Sequence, residues 1–173
     1  ASDVYKRQQP EEDGLLPQKK VQQFVDHCQR VTEGQMLDIH ATTWKYNKLI
    51  KDQRDIVNDR RDTLLDTAAA WDDLSYHNVD RAAELKKQGI SEEVLEQAAR
   101  EIMLFHLDNE WSEHLAYLDD VRESIHLRAI ARESPIDEFH RMSIAAFGEL
   151  AERAVNKARE TFDEVEITSE AVS

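Results

Sequence analysis

Apolar side chains recur along this chain at spacings of three and four, the period of one helix face. A first stripe runs Val21, Phe24, Cys28, Val31. A second runs Ile39, Thr43, Tyr46, Ile50, Val57, Leu64, with the polar Gln53 and Arg60 falling on it. No proline interrupts residues 18–70, and the only glycine there is Gly34. The pattern predicts one helix over residues 18–70, roughly 80 Å long at 1.5 Å per residue, with Gly34 as a site for a kink. Residues 71–90 are less regular. Trp71, Leu74 and Tyr76 are expected anchors, and Asn78 or Asp80 is expected to cap a short helix that ends near Gly89. Ser91 is a good N-cap, followed by Glu92 and Glu93, which suit the positive end of a helix dipole. The next helix carries a heptad stripe, Leu104, Leu107, Trp111, His114, Leu118, Val121, Ile125, and is expected to reach Ala131. Ser134 and Pro135 form an N-cap and N1 pair. They start a last helix that presents Ile136, Phe139, Ser143, Ala146, Phe147 and Leu150 and continues to about Phe162. The turn from Arg132 to Ser134 is so short that these two helices must pack antiparallel. Residues 1–17, with Pro10, Gly14 and Pro17, read as a linker or non-native tail, and residues 164–173 as a disordered tail.

Composition supports an all-α fold. Four glycines and three prolines in 173 residues leave a sheet few turns, while Ala, Leu, Glu, Arg, Asp and Lys favour helices. The length suffices for one domain with a modest core. A net charge of −14, from 36 acidic against 22 basic residues, argues against non-specific binding to nucleic acid. The single cysteine, Cys28, cannot form an internal disulfide and is expected as a small buried filler. No run of about 18 apolar residues is present to span a bilayer. The chain begins with Ala1 rather than Met and reads as a piece of a longer protein.

Two segments resemble the SecA family, the ATP-driven motors of bacterial preprotein export. The first is QRVTEGQMLDIHATTWKYNKLIKDQRDIVNDRRDTLL, residues 29–65, which is similar to that family's long scaffold helix. The second is HLDNEWSEHLAYLDDVRESIHLRAIARESPIDEFHRMSIAAFGEL, residues 106–150, which is similar to its two-helix finger. Leu107, Trp111, His114, Leu115, Asp119, Arg122, Ile125, Leu127, Arg128, Pro135 and Glu138 stand in the family's order and spacing. Only about 40 residues separate the two segments, where the common SecA holds a whole wing domain. That shortness resembles the accessory, wing-less SecA paralogue of actinobacteria. The usual fingertip tyrosine is replaced by Ile130 and the glycine before it by Ala129. The zinc-binding Cys/His tail of many SecA proteins has no counterpart.

The resemblance implies a fold and a task. The fold is a long scaffold helix over 18–70, a short helical connection over 71–90, and an antiparallel finger over 91–163. The fingertip, Arg128, Ala129, Ile130, Ala131 and Arg132, would contact the preprotein and the channel. Trp111, His114, Leu115 and Arg122 would be structural residues of the finger. The implied partners are the Sec membrane channel, preproteins and the chain's own upstream motor domains, with room for a homodimer and no role for nucleic acid. The implied location is cytoplasmic, at the inner face of the plasma membrane. ATP and magnesium belong to the motor domains, since no GxxxxGK[ST] motif occurs here; this chain is expected to hold no cofactor, no metal and no catalytic residue.

Each candidate has a plainer reading. An aliphatic Ile130 at a tip can hold any passing sequence by non-directional apolar contact, or it can simply close the hairpin core. Arg128 and Arg132 can meet channel loops or substrate carbonyls, or offset the helix dipole. Arg122 reads as a partner of an internal acid, and His114 as a hydrogen-bonded core residue. His106, Glu110 and His114 lie four apart on one face, and Glu123 with His126 forms a Glu-x-x-His pair. A di-iron bundle needs a second such pair and two further glutamates. Lys45, Lys48, Lys51 and Arg54 read as a solvated face, or as a docking strip for the motor domains. The reading is the scaffold and finger of an accessory SecA-type motor; a stand-alone helical interaction adaptor is the alternative.

Overall fold

A computed structural model describes residues 15–128 and 135–169 of the chain. Every element among them is helical: α1 (Leu15–Asp66), α2 (Ala69–His77), α3 (Val79–Lys87), α4 (Glu92–Arg128) and α5 (Pro135–Glu164). The fold is all-α, a long helix followed by a short helical connection and an antiparallel helix pair. The chain divides into two compact units, Ala1–Asn47 and Lys48–Ser173.

In the first unit α1 begins at Leu15, so residues 15–17 are helical rather than linker. Pro17 falls in the first turn, where its missing N–H has no intrahelical partner to lose. The helix continues through Gly34 without ending. The first apolar stripe is exposed, with Val21 62%, Phe24 67% and Val31 45% accessible. Cys28 is exposed as well, which corrects its reading as a buried filler. α1 is the single described element of this unit, and one helix cannot cover its own stripe.

The second unit holds the core. The C-terminal part of α1 contributes Val57 and Leu64, α2 Trp71 and Leu74, and α3 Ala82 and Leu85. α4 adds Leu95, Ala98, Ala99, Ile102, Met103 and Leu107, and α5 adds Leu150, Ala154, Ala158 and Phe162. Small alanines on both α4 and α5 let those two helices pack closely, and this is the most extensive helix pairing among the described residues. Further along, Leu118, Val121, Ile125 and Phe139 continue the seam as buried residues. The heptad stripe therefore marks the buried face of α4.

Local signals place the helix ends. Ser91 caps α4, its Oγ accepting from Val94 N–H at 3.3 Å. Gly89, at φ 86°, closes α3 with Gly89 N–H on the Lys86 carbonyl and Ile90 N–H on the Leu85 carbonyl. This paired pattern needs a left-handed residue, which favours glycine. Asn78 stands at the N-cap position of α3, as expected, but its side chain makes no capping bond, and Asp80 lies inside the first turn. The Asn78 side chain instead donates from Nδ2 to the Arg159 carbonyl at 2.9 Å, tying the α2–α3 junction to α5. Tyr76 is 76% exposed rather than an anchor. Residues two apart on a helix do not share a face, so a buried Leu74 turns Tyr76 outward.

Residues 165–169 depart from the expected disordered tail. Ile167 is buried in the core cluster, and Arg81 holds the carbonyls of Phe162 at 3.3 Å and Val165 at 2.8 Å. One apolar side chain in a polar segment is enough to fasten it there.

Candidate functional site

Three helices of the second unit meet along a seam that is apolar except for a short ladder of polar groups. α4 supplies the ladder at one-turn intervals: His106, Glu110 and His114. Glu110 is 2% exposed. Its Oε2 accepts from Arg153 Nε at 3.0 Å and its Oε1 from Lys157 Nζ at 2.5 Å, both on α5. Burial opposes the charge on Glu110. The hydrogen bonds and positive charges of Lys157 and Arg153 outweigh it and hold the carboxyl below its ordinary value. Lys157 is raised in turn by its bond to Glu110. His106 Nε2 lies 2.7 Å from Thr161 Oγ1.

The third rung joins all three helices. Gln53 of α1, His114 of α4 and Ser143 of α5 are 4%, 3% and 0% exposed. His114 Nε2 lies 2.7 Å from Gln53 Oε1, and Gln53 Nε2 donates to Ser143 Oγ at 2.9 Å. A carboxamide oxygen only accepts, so His114 carries its proton on Nε2. The imidazole packs against Trp111 at 5.6 Å and Phe147 at 5.4 Å, and those rings meet each other edge-on at 6.3 Å, so the three form a cluster. Burial, and then the charge of Arg153, lowers the pKa of His114; burial and then Lys157 lower that of His106. Both shifts favour the neutral imidazole.

The end of α1 is fixed to α4 by Arg100, which donates to the Leu64 carbonyl at 2.8 Å and the Thr67 carbonyl at 3.2 Å. These carbonyls close a helix C-terminus, where a cation also meets the negative end of the dipole. Arg61 pairs with Asp108 one turn further on. Near the C-terminal end of α5, Arg159 makes a two-pronged pair with Asp73 of α2, at 3.0 and 2.9 Å. The contacts run in opposite directions along the chain, His106 with Thr161 and His114 with Phe147, so α4 and α5 are antiparallel.

The predicted finger residues fall into place unevenly. His114 is a hydrogen-bonded core residue, while Trp111, Leu115 and Arg122 are half-buried. α4 is described to Arg128, and Ala129, Ile130, Ala131 and Arg132 lie outside the described residues. His106, Glu110 and His114 share a face but each bonds to a different partner. Among the described residues no three His, Cys, Asp or Glu side chains converge as a metal site would need. Lys48 and Lys51 pair with Asp52 and Asp55 one turn away on the exposed face of α1.

Sequence reasoning missed Gln53 and Ser143 as partners of His114, and Arg153 and Lys157 as partners of Glu110. The signals were present. Gln53, His114 and Ser143 are each polar residues on a mainly apolar stripe. Counting outward from the turn along both helices sets Arg153 and Lys157, one turn apart, opposite Glu110.

A family model described as the SecA Wing and Scaffold domain matches residues 70–166, more than half of the chain. The chain belongs to the SecA family. The match runs from α2 and α3 through α4 and α5, so those elements belong to the SecA Wing and Scaffold domain. Over 162 residues the chain is 99% identical to "Protein translocase subunit SecA 2" of Corynebacterium jeikeium, covering 94% of this chain and 21% of that protein. It is 60% identical over 159 residues to the protein of the same name from Corynebacterium efficiens, covering 92% of this chain and 21% of that one. Against "Protein translocase subunit SecA 2" of Mycobacterium ulcerans the identity is 52% over 153 residues, covering 88% and 19%. The chain thus spans about a fifth of the length of these SecA relatives. The resemblance to an accessory SecA agrees with the SecA 2 name that all three carry. Among the described residues no helix is long and apolar enough to cross a membrane.

Proposed function

We propose that this chain is the scaffold and finger of an accessory SecA-type protein translocase, coupling ATP hydrolysis elsewhere in the protein to movement of a preprotein through the Sec membrane channel. The observation that supports this most is the finger's attachment. α1 is bonded to both helices of the pair through the buried Gln53, and to α4 also by the exposed Arg61–Asp108 pair and by Arg100. A motion delivered through the end of α1 would reach both finger helices together. Arg128 to Arg132, with Ile130 at the tip, would then press on the preprotein at the mouth of the channel. ATP and magnesium would be held by motor domains, and the exposed stripe of Val21, Phe24 and Val31 offers those domains an apolar face to cover. Such a protein would work at the inner face of the plasma membrane without spanning it.

The test replaces Ala129–Arg132 with Gly-Ser-Gly-Ser in the full-length protein. ATP-driven entry of a preprotein into vesicles bearing the channel is measured beside ATP hydrolysis. Entry is expected to be lost while hydrolysis persists. Entry at the unmodified rate would overturn the assignment of the tip.

A further inference from the structure

We infer that Gln53, His114 and Ser143 are positioning residues that set the register of the scaffold helix against both finger helices, so that a displacement of α1 is delivered to the finger rather than dissipated by slippage. This rests on the translocation reading above and adds to it the joint through which the movement passes.

Three observations carry it. The three side chains come from three different helices, and all are essentially inaccessible. They form one continuous chain of bonds, His114 to Gln53 at 2.7 Å and Gln53 to Ser143 at 2.9 Å. Apolar residues flank the three along their helices, Val57 on α1, Trp111 and Leu118 on α4, Phe139 and Phe147 on α5, and Arg153 is the charged group that acts on His114.

Apolar contact alone is a poor ruler. Leu, Ile, Val and Phe fill a seam nearly as well after a shift of one turn, because their attraction has no direction. A buried polar group differs: a slip that separates it from its partner leaves a donor and an acceptor unsatisfied in a dry interior. A single buried polar position can fix helix register for this reason. Gln53 is suited to the centre of such a joint because one carboxamide accepts and donates at once. Its Oε1 accepts the His114 Nε2–H bond on one side and its Nε2–H donates to Ser143 Oγ on the other. Neither His114 nor Ser143 can reproduce that bridge if α1 moves by a turn. His114 packs against both Trp111 and Phe147, which restricts how far the imidazole can follow Gln53.

The test uses the full-length protein with Gln53→Leu, His114→Leu and Ser143→Ala together, which removes every partner at once and leaves no orphaned polar group. The helices should stay packed, since apolar replacement of a buried polar set is often tolerated. Preprotein translocated per ATP hydrolysed is expected to fall by roughly 2- to 30-fold, the span of known coupling mutations, with ATP hydrolysis kept. Spin labels at the exposed positions Ile56 of α1 and Tyr117 of α4 read register directly. One distance is expected in the parent, and in the variant a second population displaced by about 5.4 Å, one helical turn. A single unchanged distance would overturn the inference whatever the activity. A second population with unchanged translocation per ATP would overturn the positioning role. If the triple variant fails to fold, Gln53→Asn, one methylene too short to bridge, takes its place with the same readouts. If the parent itself moves no preprotein, the translocation reading fails, and the spin-label distances still decide whether these residues set the register.

Discussion

Phe162→Ala is expected to destabilise the chain by about 3–5 kcal/mol, the range for truncating a buried aromatic. Phe162 is completely buried near the end of α5 and meets Trp71 of α2 edge-on at 6.1 Å. Its neighbours are held from several sides. Asn78 and Arg81 bond to the α5 backbone, and Arg159 is clamped to Asp73. A site braced in this way cannot collapse into the space left by the ring, which places the cost in the upper part of the range. The loss also includes the aromatic pair itself, about 0.5–1.5 kcal/mol. Urea unfolding followed by helical circular dichroism checks it. A midpoint shift worth under about 1 kcal/mol would show that α2 and α3 do not hold the base of the finger.

Replacing Arg153 and Lys157 together by Met is expected to cost about 3 kcal/mol at neutral pH, the low end of the range for stranding a buried charge. The cost belongs to Glu110, which is 2% exposed and takes both of these bonds. Met preserves the apolar stems while removing the charges. The low end applies because Arg153 is 41% exposed, so water reaches the outer side of the pair. The pH dependence separates this cause from lost packing. In the parent the Glu110 carboxyl titrates below its ordinary value. Its stabilisation is present above the ordinary carboxylate range and is lost as pH falls through the folded value. In the variant burial acts unopposed and raises that carboxyl. The folded variant then takes up a proton more readily than the unfolded chain, and gains relative stability on acidification. The difference between parent and variant should therefore shrink as pH falls from 7 toward 4. A difference that stays constant across that range would assign the loss to packing instead.

The fold was largely legible because helices of this length announce themselves. The heptad stripe from Leu104 to Ile125 is the buried face of α4, and Ser91, Gly89 and Pro135 mark helix ends by chemistry that acts over three or four residues. What was not legible depends on contacts distant in sequence. Nothing local distinguishes Asn78 as a cap from Asn78 as a cross-brace to α5; the choice is made by Arg159, 81 positions away. Pro17 reads as a breaker unless the helix start is known to lie just before it. Ile167 looks like part of a polar tail, yet it is buried in the core cluster. The polar ladder was half legible. His114 could be read as a core histidine from its place on the stripe, but its partner sits on a helix 61 positions earlier. Cys28, Phe24 and Val21 show the opposite failure, since helical spacing predicts an apolar face but not that the face is covered. The identity of the family was carried by order and spacing across two segments, which survive even where Ile130 and Ala129 depart from the usual tip.

Crosslinking from the fingertip tests the central claim most directly. In a full-length protein with Cys28→Ser and other cysteines removed, Ile130→Cys is compared with Glu152→Cys on the exposed face of α5 during ATP-driven translocation. Capture of the moving preprotein from position 130, well above that from position 152 and dependent on ATP, is the predicted result. Equal capture from the two positions would contradict the assignment of this hairpin as the finger that acts on the preprotein.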